Sequence, residues 1–347
     1  MVCCLSWCKN MVKVAVDTMG GDFAPSEIIK GAVQAAREGI EIILVGPEET
    51  ILQELTHYDT GNLSLSVVNA SEVIYNNESP VEALRHKPDS SLAVAIKLLK
   101  DGTAHAMVSM GSTGAVMACA KETLGILKGI RRPAMGGMLL GFAPHTVVFD
   151  MGANVDCKPQ QLLGFGALGC AVIRALYGIA NPTIGILSIG SEEGKGNRLV
   201  KETYLLLKNS SMNFVGNIEA SDIPTGKVNV VVCDGFTGNV AIKLCEGLGR
   251  AMVERLKSML HGRLSQTEIQ EIETELIALT NITDVKGGGM LYGVDGIIVK
   301  GHGRYKAQEL TNAVRHASTL VQKNLLQAIK LELAKYDCII PDNVKIP

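Results

Sequence analysis

Short runs of aliphatic and β-branched residues alternate with longer stretches of helical periodicity, the pattern of a parallel sheet whose strands are joined by crossover helices. The runs that read as strands are Val12–Asp17, Glu41–Val45, Leu63–Val68, His105–Ser109, Thr146–Asp150, Thr183–Ser188, Asn213–Asn217, Val228–Cys233 and Gly296–Lys300. Most are apolar at nearly every position, as in strands covered on both faces. Between them, Ser26 is placed to cap a helix over Glu27–Glu38, Ser90 and Ser91 one over Leu92–Lys100, and Pro159 sits in the first turn of one running to about Tyr177. After Gly238, residues Ala241, Leu244, Leu248, Met252, Leu256 and Leu260 fall on one helical stripe, and a last long helix covers roughly Ala307 to Tyr336. The least regular zone runs from Gly262 to Gly289, where a polar helical segment, Gln266 to Leu279, precedes three glycines. It predicts a projecting helical arm over about residues 250–289. The fold class predicted is α/β, an open three-layer α/β/α sandwich with a mostly parallel sheet.

Composition narrows the chemistry. The chain has 347 residues, 47% hydrophobic and 20% charged, so it can bury a large core. Aromatics are only 4% and the net charge is −2, which leaves neither stacking platforms nor a basic field for nucleic acid. No apolar run reaches the length of a spanning helix, and no secretory signal is evident. Three of the nine cysteines (Cys3, Cys4, Cys8) crowd the first ten residues. The other six are scattered without zinc spacing and read as small buried hydrophobes. A cytoplasmic location follows. Met11 opens directly into a strand, so residues 1–10 read as a non-native or disordered leader, with one catalytic domain over residues 11–347.

Glycine turns carry the candidate chemistry. Gly111-Ser112-Thr113-Gly114, Asp150-Met151-Gly152-Ala153-Asn154, Gly194-Lys195-Gly196-Asn197 and Asp234-Gly235-Phe236-Thr237-Gly238-Asn239 each fall where a strand gives way to a helix. Glycine lets backbone approach a ligand closely, and the next helix aims its free N–H groups at the same spot. Together they predict a pocket for a small anion, most simply phosphate. Each turn also has a plainer reading. Ser112 or Thr113 caps the next helix, Asp150 and Asp234 brace their own loops, and Lys195 is solvated. His302, in Lys300-Gly301-His302-Gly303, is another glycine-framed candidate.

Two motifs mislead. Gly164-Phe165-Gly166-Ala167-Leu168-Gly169 spells GxGxxG, but it starts five residues after Pro159 inside a helical pattern and not at a strand–helix turn. It reads as close helix packing. In Gly190 to Gly196, three residues separate Gly190 from Gly194 where a P-loop has four, and glycine replaces the magnesium-binding hydroxyl.

On these segments, together with Val14 to Asp22 and Gly293 to Gly303, the chain resembles the bacterial phosphate acyltransferases of phospholipid synthesis, over about Met11 to Lys330. The resemblance implies the isocitrate/isopropylmalate dehydrogenase-like fold shared with phosphotransacetylases. It also implies a homodimeric, cytosolic enzyme in peripheral contact with membrane. The implied reaction is acyl-ACP plus inorganic phosphate giving acyl phosphate and free ACP, the product passing to a membrane glycerol-3-phosphate acyltransferase. No cofactor or metal is expected. One departure is local: the arm region Ser265 to Asp284 carries Glu268, Glu271, Glu273 and Glu275, which an anionic membrane repels, although Ile269, Ile272, Leu276, Ile277 and Leu279 offer an apolar face.

Phosphate near neutral pH is already a nucleophile, so the site needs desolvation, aim and an oxyanion partner more than a strong base. The assignment expected is Ser112, Thr113, Lys195 and the glycines Gly111, Gly114, Gly194 and Gly196 around phosphate, with Asn154 and Asn239 as orienting or oxyanion donors. Asp150 and Asp234 hold the constellation. Lys158 and Lys243 are second choices for the anion, with His302 beside them. Arg250, Arg255, Lys257 and Arg263 are candidates for docking the acidic ACP, although any one of them taken singly reads first as a solvated surface charge. The rivals are a phosphotransacetylase using acyl-CoA, an NAD-linked dehydrogenase and a non-catalytic adaptor.

Overall fold

The computed structural model describes residues 12–75 and 78–335. The expected leader, Met11, Cys338 and the expected end of the last helix at Tyr336 lie outside these residues. In chain order the elements are β1 (Lys13–Asp17), α1 (Ser26–Arg37), β2 (Glu41–Gly46), α2 (Glu48–Leu55), β3 (Leu65–Asn69), α3 (Pro80–His86), α4 (Ser91–Lys100), β4 (Ala106–Ser109) and α5 (Thr113–Leu124). There follow β5 (Ala134–Met138), β6 (Val147–Phe149), α6 (Pro159–Tyr177), β7 (Thr183–Leu187), α7 (Arg198–Lys208), β8 (Asn213–Ile218), β9 (Val230–Val232) and α8 (Gly235–Leu260). The chain continues through α9 (Gln266–Thr280), α10 (Ile282–Val285), β10 (Gly289–Tyr292), β11 (Ile298–Lys300), α11 (Ala307–Gln322) and α12 (Leu325–Ala334).

The strands form one sheet in the order β3-β2-β1-β4-β11-β10-β5-β6-β9-β7-β8. From β3 to β11 all pairs are parallel, and from β6 to β8 all are parallel again. The three pairs between, β11–β10, β10–β5 and β5–β6, are antiparallel. The two parallel halves therefore run in opposite directions, joined across a seam of short strands. Helices α1, α6, α7, α11 and α12 share one core with one face of the sheet. Helices α4 and α5 cover the other face of the first half, and α8 that of the second. This is the predicted α/β/α sandwich.

Two strands escaped the sequence pattern, β5 (Ala-Met-Gly-Gly-Met) and β10 (Gly-Met-Leu-Tyr). Gly136 of β5 is required by its neighbour: a Cβ there would stand 2.2 Å from the Phe149 ring, which packs edge-on to Tyr292 with centroids 4.9 Å apart. The GxGxxG lies wholly within α6, and a Cβ on Gly169 would meet Val230 at 2.3 Å, so these glycines pack the helix onto β9.

Three helix expectations change. Pro25, not Ser26, occupies the cap position of α1, and the Ser26 hydroxyl donates instead to Glu54. Ser90 does cap α4, through Ala93 N–H, but Ser91 belongs to the helix and donates to Asp17. The final long helix is two, because Asn324 adopts the left-handed region at φ 50° and turns the chain between α11 and α12. The expected apolar stripe of α8 turns mostly outward: Leu244, Leu248 and Met252 are exposed, with Phe236 and Val240 beside them, and Ala241, Leu256 and Leu260 are half-buried, whereas Gly238, Ile242, Glu246, Gly249 and Val253 face the body. Periodicity identifies a face but not the side it turns to. Here the inward face is the one with glycines, since a Cβ on Gly238 would strike the Asp150 carbonyl. Helix α9 returns along α8 from a capping box at Ser265, burying Ile269 and half-burying Ile272, Leu276, Ile277 and Leu279. The expected arm region is thus a helical hairpin. No described helix is long and apolar enough to cross a membrane.

Candidate active site

A cavity of about 110 Å3 lies over the seam, walled by Thr113, Gly152, Asn239, Lys243, Lys300 and His302, among others. These residues come from both halves of the sheet. Because the seam strands are only three to five residues long, the turn after β4 and the turn after β6 reach one space although their strands point opposite ways.

At the β4 end, Ser112 holds the cap position of α5, but its hydroxyl makes no capping bond. The first N–H groups of α5 are therefore not claimed by a side-chain cap, and an open helix N-terminus favours negative charge. Beneath this turn Asp17 is buried and accepts 2.6 Å bonds from Ser91 Oγ and Ser109 Oγ, and Ser109 Oγ in turn accepts from Gly111 N–H at 3.0 Å. Burial raises the Asp17 pKa against the lowering effect of those hydrogen bonds. Gly20 makes the approach possible, since a Cβ there would lie 2.6 Å from Asp17 Oδ2 and 2.8 Å from Gly111 N.

Two lysines line the cavity. Lys300, the last residue of β11, has no carboxylate within ion-pair distance among the described residues. Burial first, then the nearby Lys243 charge, pull its pKa down to about 8, with Asp22 opposing. Lys243 of α8 pairs at 2.8 Å with Glu246, which is 1% exposed. The other Glu246 oxygen is buried without a hydrogen bond, 3.8 Å from His302 Nε2. Burial by itself would raise the Glu246 pKa, but His302 and Lys243 outweigh it and hold it at about 2. Glu246, Asp284 and His302 bring one ligand atom each within 4.8 Å, the spacing of a metal site. However, Lys243, Arg304 and Arg250 already balance both carboxylates, and Tyr305 donates to Asp284. The group is better described as an ion-pair network bracing the cavity floor.

The second turn is braced, not open. Asp150 is fully buried and accepts from the N–H groups of Met135, Gly152, Ala153 and Asn154 and from Asn154 Nδ2. Burial raises its pKa against those bonds. The other Asn154 amide hydrogen goes to the Pro133 carbonyl, so both are committed to the turn and the oxyanion donation expected of Asn154 is not free. Asp234 likewise caps α8 through Thr237 N–H and Oγ1. Asn239 is exposed beside Gly152 and presents its amide to the cavity.

The remaining expected residues lie elsewhere. Gly196, Asn197, Asp234 and Thr237 line a separate, largely apolar cavity of about 470 Å3. Gly194 and Lys195 are exposed in the adjoining loop, and Lys195 is in the wall of neither cavity. Lys158 is exposed at the start of α6, its own N–H bonded to Gln161. The four turns therefore do not converge on one spot. The structure joins the first with parts of the second and fourth, and sets the third apart. Among the docking candidates, Arg255 and Arg263 are exposed, whereas Arg250 reaches Asp284 at 3.8 Å and Lys257 reaches Glu273 at 2.7 Å.

The profile of a family described as "Fatty acid synthesis protein" matches residues 12–328. A phosphate acyltransferase of Clostridium botulinum is 40% identical over 337 residues, 95% of this chain and 99% of that protein. One from Nitratidesulfovibrio vulgaris is 43% identical over 338 residues, 94% of this chain and 98% of its own. The chain belongs to this family. Among solved structures, a phosphotransacetylase from Streptococcus pyogenes superposes with a TM-score of 0.59 at 16% identity, covering 90% of this chain and 95% of that one. A branched-chain phosphotransacylase from Enterococcus faecalis gives 0.54, also at 16% identity, covering 90% of this chain and 99% of its own. At that identity the likeness speaks for the fold alone, which is the phosphotransacetylase-related one expected.

Sequence reasoning missed Lys300, Glu246 and Asp17 as parts of this site. Asp17 carried a usable signal, an aspartate ending an apolar strand just before glycines, the same arrangement as Asp150 and Asp234. Lys300 and Glu246 carried none, because burial made them informative.

Proposed function

We propose that this enzyme transfers a fatty acyl group from acyl-ACP to inorganic phosphate, releasing acyl phosphate and free ACP, and so supplies acyl phosphate for glycerol-3-phosphate acylation in phospholipid synthesis. The observation that carries this reading is the meeting of Lys300, Lys243 and the uncapped start of α5 in one small cleft of a phosphate acyltransferase relative. Phosphate seats between the two ammonium groups, with Thr113 and the α5 N–H groups on its free oxygens. One phosphate oxygen attacks the thioester carbonyl carbon, the C–S bond breaks, and the carrier leaves as its thiol. Asn239 is placed to donate to the carbonyl oxygen as it gains charge. His302 and Lys243 keep their positions through Glu246. Asp150 and Asn154 hold the Gly152 wall without touching substrate, and Lys195 belongs to a neighbouring surface.

The acidic ACP docks through Arg255 and Arg263, with Arg250 and Lys257 contributing once their ion pairs loosen. Two copies pair through the outward apolar stripe of α8, which a lone chain would leave in water. The enzyme works in the cytoplasm, with the membrane as a peripheral partner.

The test is thiol release from acyl-ACP and from acyl-CoA, each with and without phosphate. Phosphate-dependent release from acyl-ACP supports the reading, and dominant use of acyl-CoA would convert it to a phosphotransacetylase. Release that ignores phosphate refutes it. Reversing Arg255 and Arg263 to glutamate is expected to raise KM for acyl-ACP with little change in kcat.

A further inference from the structure

Two further cavities continue the reaction cleft through shared walls. The first, a tight space of about 40 Å3, shares Met151, Thr283 and Gly289 with the cleft. The second, about 350 Å3, shares Leu176, Tyr177, Lys286 and His316 with the tight space. The cleft lies on the α8 face of the sheet, whereas Val172 and Tyr292, which line the tight space, belong to the α6 and α11 core on the opposite face. The three spaces thus trace one line across the sheet, round the start of β10. Glycine keeps it open: Gly137 has only the Met151 terminal methyl within 4 Å of a would-be Cβ, and Gly288 and Gly289 form the opposite wall.

The lining beyond Thr283 is chiefly apolar: Met138, Met151, Val147, Val172, Leu176 and the Tyr177 ring. Lys286 and His316 are the basic groups of the tight space, and Asn312, Arg315, Thr319 and Lys323 join them in the wall of the outer cavity beside Val285 and Leu320. Burial, then the charge of Lys286, pulls the His316 pKa to about 4, and burial, then Lys323, lowers that of Lys286. His316 Nδ1 is buried with no hydrogen-bond partner. A passage that is apolar through its constriction and shares walls with the cleft fits a hydrocarbon chain whose carboxyl carbon is held at the cleft. Methionines at the constriction suit it, since they move aside readily.

We propose that this passage receives the fatty acyl chain, and that Leu176, Tyr177 and His316, where the tight space opens into the outer cavity, set the chain length the enzyme accepts. The proposal rests on the acyl transfer reading and names the site of chain specificity. Leu176 is half-buried at the far end of the constriction, so its size can be altered in both directions.

The experiment measures kcat/KM for octanoyl- and palmitoyl-ACP with saturating phosphate, with melting curves as the check on folding. Leu176→Trp is expected to lower the palmitoyl value about tenfold or more relative to the octanoyl value. Leu176→Ala is expected to shift preference toward longer chains. Leu199→Trp narrows the separate 470 Å3 cavity and serves as the control. Folded Leu176 variants that keep the wild-type length preference overturn the proposal. So does a length shift produced by Leu199→Trp in their place. If Leu176→Trp fails to fold, Leu176→Ala decides alone. A wild-type enzyme lacking phosphate-dependent thiol release would remove the reaction itself and the passage with it, a result distinct from normal turnover with unaltered length preference.

Discussion

Lys300 should trade stability for anion binding, and Lys300→Met separates the two. Its pKa falls from an ordinary 10.5 to about 8, chiefly through burial. At about 1.4 kcal/mol per tenfold change, keeping that charge inside the fold costs about 3 kcal/mol at pH 7, an upper figure because the residue is not wholly enclosed. Methionine keeps the length of the side chain and removes the charge, so the variant should be more stable than the wild type in phosphate-free buffer, by up to that amount. The sign follows from proton counting. Between pH 8 and 10.5 the unfolded chain holds the Lys300 proton and the folded chain does not, so wild-type stability climbs with pH across that window. The variant should lack this climb, and the gap between the two proteins should close toward pH 10.5. Phosphate should act in the opposite sense. At about a hundredfold excess over Kd it adds about 2.7 kcal/mol to a protein that binds it, and the variant should lose that increment along with most turnover. Denaturant or thermal melts at several pH values, with phosphate and with chloride of equal ionic strength, measure all of this. A variant less stable than wild type at pH 7, still stabilised by phosphate and still active, would refute the reasoning.

Other substitutions test the frame. Asp150→Ala strips the acceptor from five donors, two of them in buried and three in part-buried bonds, and should cost about 3 kcal/mol in urea unfolding. A loss under about 1 kcal/mol would mean that the turn holds itself. Gly169→Ala forces a methyl against Val230 and should cost about 1–3 kcal/mol while leaving phosphate affinity unchanged, as fits packing and not a dinucleotide site. Glu246, held at about 2 against an ordinary 4.5, gives stability that is present above pH 4.5 and lost as pH falls toward 2. Glu246→Gln should flatten that acid limb in melting curves and alter the pH profile of turnover by freeing His302 and Lys243, and an unchanged profile would argue against the network.

The parallel halves of the fold were readable because their strands are continuous apolar runs bounded by turn residues, as Val14–Val16 and Ile42–Val45 show. The seam was not. Ala-Met-Gly-Gly-Met and Gly-Met-Leu-Tyr are too short to display a period, and their identity as strands depends on their pairing with each other across more than 150 residues, as Tyr292 opposite Ala134 shows. The site divided in the same way. Thr113, Asn239 and His302 stood out because glycine turns advertise themselves. The separation of Lys195 from them did not, since it depends on the strand order, which sets β7 two strands away from β6 at the seam. Lys300 at a strand end looks like any solvated lysine until the fold encloses it. The outward stripe of α8 was visible as a stripe, but its direction was decided by Gly238 and Gly249 lying close against the body.

The seam has a mechanical consequence. Strands β1 and β2 are matched at five positions, whereas β10 and β11 are matched at two and β5 and β6 at three. The β10–β11 ladder is thus the shortest in the sheet, every other pair being matched at three positions or more, and the candidate hollow lies over this join between the two parallel plates. A small rocking of one plate against the other changes the width of that hollow while each plate keeps its own ladder, so opening for a bulky carrier and closing around a bare ion require no strand to be broken.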